Sequence, residues 1–90
     1  MTATAIAAVI PRRRVTVTGK IGSVVSYRRP WVRTDVELGD GTGVILLRFM
    51  GRPEVPGFES GQVVVAEGTP IMVRGELVIL NPLYTFADDG

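Results

Sequence analysis

The sequence predicts an all-β domain, a small five-stranded Greek-key barrel with little or no helix. No segment carries a helical period. Five runs are either alternately apolar and polar or short and continuously apolar, and Gly, Pro, Asn and Asp punctuate them at short intervals. A sheet this rich in Val and Ile would expose unpaired edges if it stood alone, and closure into a barrel pairs them.

The first predicted strand begins at Val15. Val15, Val17, Gly19 and Ile21 alternate with Thr16, Thr18, Lys20 and Gly22, the period of two of a half-buried strand. The run continues through Val24 and Val25, so the strand is long, and Gly19 or Gly22 lets it bend at a barrel corner. A loop, Ser26-Tyr27-Arg28-Arg29-Pro30, leads to the second strand. There Val32, Thr34, Val36 and Leu38 alternate with Trp31, Arg33, Asp35 and Glu37.

Gly39 to Gly43 is a hairpin turn, because several of its positions tolerate positive φ. It resembles a phosphate-cradling glycine loop, but no Lys-Ser or Lys-Thr follows. The third strand, Val44 to Met50, puts Ile45, Leu47 and Phe49 on one face and Leu46, Arg48 and Met50 on the other. Pro53, Pro56 and Gly57 make residues 51–61 an irregular connection. Gln62 to Thr69 and Ile71 to Val73 form a fourth strand interrupted at Gly68 and Pro70. Arg74-Gly75 turns the chain into a fifth strand, Glu76 to Leu80, which Asn81-Pro82 ends. Leu83, Tyr84 and Phe86 then pack against the body. The SH3-like barrel is the competing architecture. The long, bendable first strand and the longer connection after the third favour the OB (oligonucleotide/oligosaccharide-binding) type.

Ninety residues supply one domain, placed at 14–86, with a flexible or loosely docked arm at 1–13 and an acidic tail at 87–90. Apolar residues are 46% of the chain, enough for a core without disulfides. There is no Cys and no His, which excludes thiolate chemistry and removes the commonest general base and metal ligand. Asp35, Glu37 and Asp40 have no further acid, base or ligand beside them in the pattern, so neither an enzyme, a metal site nor a cofactor is expected. Thr2 to Ile10 is apolar, but no basic residue precedes it and Arg12, Arg13 and Arg14 follow, the reverse of a secretory signal. With no run of transmembrane length, a cytoplasmic protein without membrane contact is expected.

Charge is strongly segregated. Residues 1–33 hold seven basic side chains and no acidic one, whereas residues 34–90 hold three basic against nine acidic. Such separation points to a polyanionic partner, unless an antiparallel fold interleaves the halves and averages the surface.

Several pieces then occur in a recognisable order: Val15-Thr-Val-Thr-Gly-Lys-Ile, Leu38-Gly-Asp-Gly-Thr-Gly, Leu47-Arg-Phe-Met-Gly51, Gly57-Phe-Glu-Ser-Gly61, Gly68, and Val78-Ile-Leu-Asn-Pro82-Leu-Tyr84. Over residues 14–86 the chain resembles OB domains of the kind found in the RecG helicase wedge and in tRNA-anticodon-type modules. The resemblance implies a free-standing OB barrel that binds single-stranded nucleic acid. No motor domain accompanies it, so helicase activity is not implied, and some OB domains of this kind bind protein instead.

In such folds the ligand lies across the second and third strands, between the loop joining strands one and two and that joining four and five. The first loop holds Tyr27, Arg28, Arg29, Trp31 and Arg33, in which guanidinia suit phosphates and aromatic rings suit bases. Trp31 has two readings, a stacking platform or a core residue. Arg33 and Arg48 share a non-core phase, and Lys20 would extend them into a stripe, which Asp35 and Glu37 interrupt. Arg12, Arg13 and Arg14 form a basic arm or a solvated flank of the first strand. The fifth strand, Leu77-Val78-Ile79-Leu80, is apolar in both phases. Either the Ile6 to Ile10 segment covers the excess or it joins a second copy as a homo-oligomer. Three functions follow: a single-stranded DNA or RNA binder with little sequence preference, a protein-interaction module, or a small-molecule sensor with a pocket in the barrel mouth.

Overall fold

The computed structural model describes residues 3–87. A 3-10 turn, Ile6–Ala8, precedes seven strands: β1 Val15–Tyr27, β2 Arg33–Gly39, β3 Val44–Met50, β4 Val63–Gly68, β5 Pro70–Val73, β6 Glu76–Leu80 and β7 Leu83–Phe86. They form one mixed sheet in the order β5-β6-β3-β2-β1-β4-β7, in which only β3 and β6 run parallel.

The all-β class is observed, with seven strands in place of the five expected. The ladder of hydrogen bonds runs open from β5 to β7 and does not close. The fourth predicted strand breaks at Thr69, so that β4 pairs with β1 while β5 pairs with β6. The second addition is β7, whose Tyr84 and Thr85 pair with Ala66 and Val65 of β4. Gly68, just before the break, is obligatory on steric grounds. A Cβ there would stand 2.5 Å from Cγ2 of Ile79.

β1 is the long, bent strand that its two glycines predict. Residues 15–20 pair with β4 and residues 20–27 with β2, and the register shifts between Ile21 and Ser23, so that Gly22 occupies a bulge. At Gly19 the chains approach closely, and a Cβ would lie 2.7 Å from the Gly39 carbonyl oxygen.

One apolar face each of β1, β2, β3, β4 and β6 meets in the core, where Val17, Ile21, Val36, Leu38, Ile45, Leu47, Val64 and Ile79 are buried. Each such side chain contributes about 1.5–3 kcal/mol relative to exposure. Residues 51–62 contain no helix, as their prolines predict, and they return Val55 and Phe58 to the core. Phe58 packs against Phe49, Tyr84 and Phe86, which is where the aromatic residues after Asn81 find their place.

The N-terminal segment is held by four backbone N–H groups. Thr4 donates to the Thr16 carbonyl, Ile6 to Oδ2 of Asp40, Ala7 to Oγ1 of Thr42, and Arg12 to the Pro70 carbonyl. Ile6 is buried and Val9 packs beside it against the core. Apart from Ala87, the expected acidic tail lies outside the described residues.

The fifth predicted strand is β6, and both of its edges are paired within the chain. β3 occupies one edge and β5 the other, while Val78 and Ile79 are fully buried. Its two apolar phases have different covers: Ile79 and Leu77 face the core, whereas Val78 pairs with Leu46 and Ile71. Only Leu80 stays open.

Candidate nucleic-acid interface

Past the bulge, β1, β2 and β3 set out a grid on the sheet's outer face. Tyr27, Arg33 and Met50 form one row, Val25, Asp35 and Arg48 the next, and Ser23, Glu37 and Leu46 the third. Arg33 and Arg48 are therefore on one face, as their phase predicts, with Asp35 between them.

Asp35 is buried and engages both cations. Arg48 donates from Nε to Oδ1 at 3.0 Å and from Nη2 to Oδ2 at 3.2 Å, a two-pronged bond, and Arg33 Nε reaches Oδ2 at 3.4 Å. The bond to Asp35 raises the Arg48 pKa above its ordinary value, and the nearby charges of Asp35 and Glu76 act in the same sense. The stripe expected here is thus largely neutralised. Arg33 also covers one face of the Tyr27 ring, with Cζ 4.3 Å from its centre.

Trp31 is not a core residue. It is 66% exposed, in the loop between β1 and β2. That loop and the β5–β6 hairpin share a notch of about 380 Å³, with Pro30 and Trp31 contributed by the loop, Val73, Arg74 and Glu76 by the hairpin, and Arg33 and Arg48 by the strands. A second hollow, of about 330 Å³, continues over the grid and includes Tyr27, Asp35 and Glu37. Arg28 and Arg29 are exposed beside Trp31 and have no ion-pair partner among the described residues.

Four of the sequence candidates lie elsewhere. Lys20 is exposed where β1 pairs with Gly39 on one side and Val63 on the other, and it lines neither hollow. Arg12 is anchored through its backbone at Pro70, Arg13 is exposed beside it, and Arg14 pairs with Glu67 at 3.1 Å. None of these three lines the notch.

A two-residue turn between strands carries little signal in the sequence, yet Arg74 lines the notch. It occupies the tip with φ of 50°, followed by Gly75 at 81°, the positive pair that a tight hairpin requires. Its hairpin meets the β1–β2 loop at the notch.

A groove of about 680 Å³ lies between the N-terminal segment and the β5–β6 hairpin. Apolar side chains such as Val9, Leu46 and Met72 line it, and its only charged residues are Glu37 and Glu76. It has nothing with which to hold a phosphate. Among the described residues no helix is long and apolar enough to cross a membrane, and no three acidic residues gather as a metal site. No known protein-family model matches the chain, and no match is found among curated proteins.

Proposed function

We propose that this chain is a module for binding single-stranded DNA or RNA, built on an OB-type barrel. The barrel reading takes β4 and β5 as one strand bent at Thr69. The circuit β1-β2-β3-β6-β5/β4-β1 then has the connectivity of the five-stranded Greek-key barrel, with β7 added alongside β4. On this reading the β1–β2 loop and the β5–β6 hairpin are the two ligand loops, and the grid of β1 to β3 is the ligand face.

One observation carries the function. The only Trp of the chain stands exposed in a notch with Arg33, Arg48 and Arg74, next to Arg28 and Arg29, which have no ion-pair partner among the described residues. An exposed indole gains by stacking on a base, and duplex DNA hides that face of its bases. Arg28, Arg29 and Arg74 are the phosphate ligands, because Asp35 already engages the other two.

The test is a titration of labelled single- and double-stranded DNA and RNA at two salt concentrations, followed by anisotropy. Single strands of either sugar bind and duplexes bind weakly. With about three phosphates neutralised, the log–log salt slope is about −2. Absence of single-strand binding at low salt rejects the proposal.

A protein-interaction module is the second reading, favoured by the 680 Å³ groove. Its apolar lining and two carboxylates suit an apolar segment that carries cations.

A further inference from the structure

We infer that the notch beside Trp31 selects the base it stacks, with Glu76 as the selecting residue and guanine as the preferred base. This rests on the single-strand reading above and replaces the indifference to sequence that composition alone suggests.

Three carboxylates face the ligand side of the sheet, and their circumstances differ. Asp35 has both oxygens engaged by guanidinia. Glu37 lies in the row away from Tyr27 and Arg33 and is not part of the notch. Glu76 is exposed, lines the notch with Trp31, and has no ion-pair partner among the described residues. An open carboxylate repels phosphate and is purely a hydrogen-bond acceptor. What it can hold on a single strand is a base that offers donors.

Unpaired bases are recognised by stacking on an aromatic ring while their Watson–Crick edge makes hydrogen bonds. A base lying on Trp31 within this notch brings that edge to Glu76. Guanine presents N1–H and the 2-amino group side by side, two donors for two carboxylate oxygens. Cytosine and adenine each offer one amino group beside a ring acceptor. Thymine and uracil offer a single N3–H between two carbonyl oxygens, which a carboxylate repels. Guanine is therefore bound first, and thymine or uracil last.

The alternative role for Glu76 is to offset the charge of Arg48 and Arg74 without reading any base. Short dT strands with one central position changed to dG, deoxyinosine or dC separate the two roles, and so sparse a guanine content avoids strand–strand structures. Each strand is titrated against the native chain and against Glu76→Gln, with circular dichroism confirming that the variant is folded.

The native chain binds the dG strand roughly 5- to 100-fold more tightly than all-dT. Deoxyinosine, a purine that stacks but lacks the 2-amino group, loses most of that advantage. Glu76→Gln removes the preference for dG and tightens the all-dT strand. Equal affinity for all strands, or a Glu76→Gln that tightens every strand by one common factor, overturns the inference while the single-strand reading stands. Failure of every strand to bind overturns that reading and this inference with it.

Discussion

The guanidinium of Arg33 lies over the ring of Tyr27, 4.3 Å from its centre, while its Nε points to Asp35. One face of the Tyr27 ring is thereby occupied by the protein itself. Trp31 has no such cover, and the two aromatic residues of the loop are therefore unequal as platforms for a base.

Replacing Trp31 with Ala weakens single-strand binding by about 1–3 kcal/mol, and Tyr27→Ala falls at or below the lower end of that range. Anisotropy titrations measure both. Trp31→Ala leaves the melting temperature nearly unchanged, because the side chain is exposed. Marked unfolding would place the indole in a structural role instead.

Arg28→Ala combined with Arg29→Ala lowers affinity for all sequences alike, since phosphate contacts do not read bases. Loss of two such contacts flattens the salt slope by about 1.4. Replacing Arg12, Arg13 and Arg14 together changes it less, because Arg14 is paired with Glu67 and all three lie outside the notch. A basic-arm slope as large as that of the loop would contradict this division.

How far the sequence revealed this arrangement depended on the kind of signal. Alternation located β1, β2 and β3 because one face of each must be apolar. The bend at Gly22 was legible as well, since a long strand with glycine in it has few other uses for that residue. β7 escaped because Leu83–Phe86 is too short to show a period, and its pairing with β4 is a long-range event. Asp35 belongs to the outward phase, where the sequence shows it only as an interruption of the basic stripe; two guanidinia converging on it make it buried. Arg74 gained significance only when folding brought its hairpin to Trp31. The doubly apolar β6 was ambiguous in the sequence because periodicity does not show which neighbour covers the second face.

That ambiguity gives a direct test at Ile79. Its side chain is fully buried, so Ile79→Lys unfolds the domain, at a cost above about 3 kcal/mol for a charge left without a partner. Urea denaturation measures the loss. A folded variant that merely dissociates from a larger species would instead make β6 an interface.

Acid should loosen the N-terminal segment at Ile6, whose N–H donates to Asp40. Hydrogen bonds from the Thr42 hydroxyl, then from the N–H groups of Ile6 and Thr42, lower the Asp40 pKa from 3.8 to about 2. A carboxylate with a depressed folded pKa contributes stability above its unfolded value and loses it as pH falls through the folded one. The contribution is therefore complete above about pH 4 and disappears toward pH 2. Amide protection at Ile6, its exchange rate relative to an unstructured peptide at the same pH, is the probe: protection falls over this window in the native chain, whereas in Asp40→Asn it is already lower at neutral pH and lacks that carboxylate-linked step.

Trp31 is the chain's only tryptophan, so its emission reports on the proposed contact alone. Titration with a short unlabelled single strand at low salt should quench that emission along a curve that matches the anisotropy binding curve, and added salt should reverse both. Anisotropy that rises while the emission stays unchanged would place the strand away from Trp31 and contradict the account.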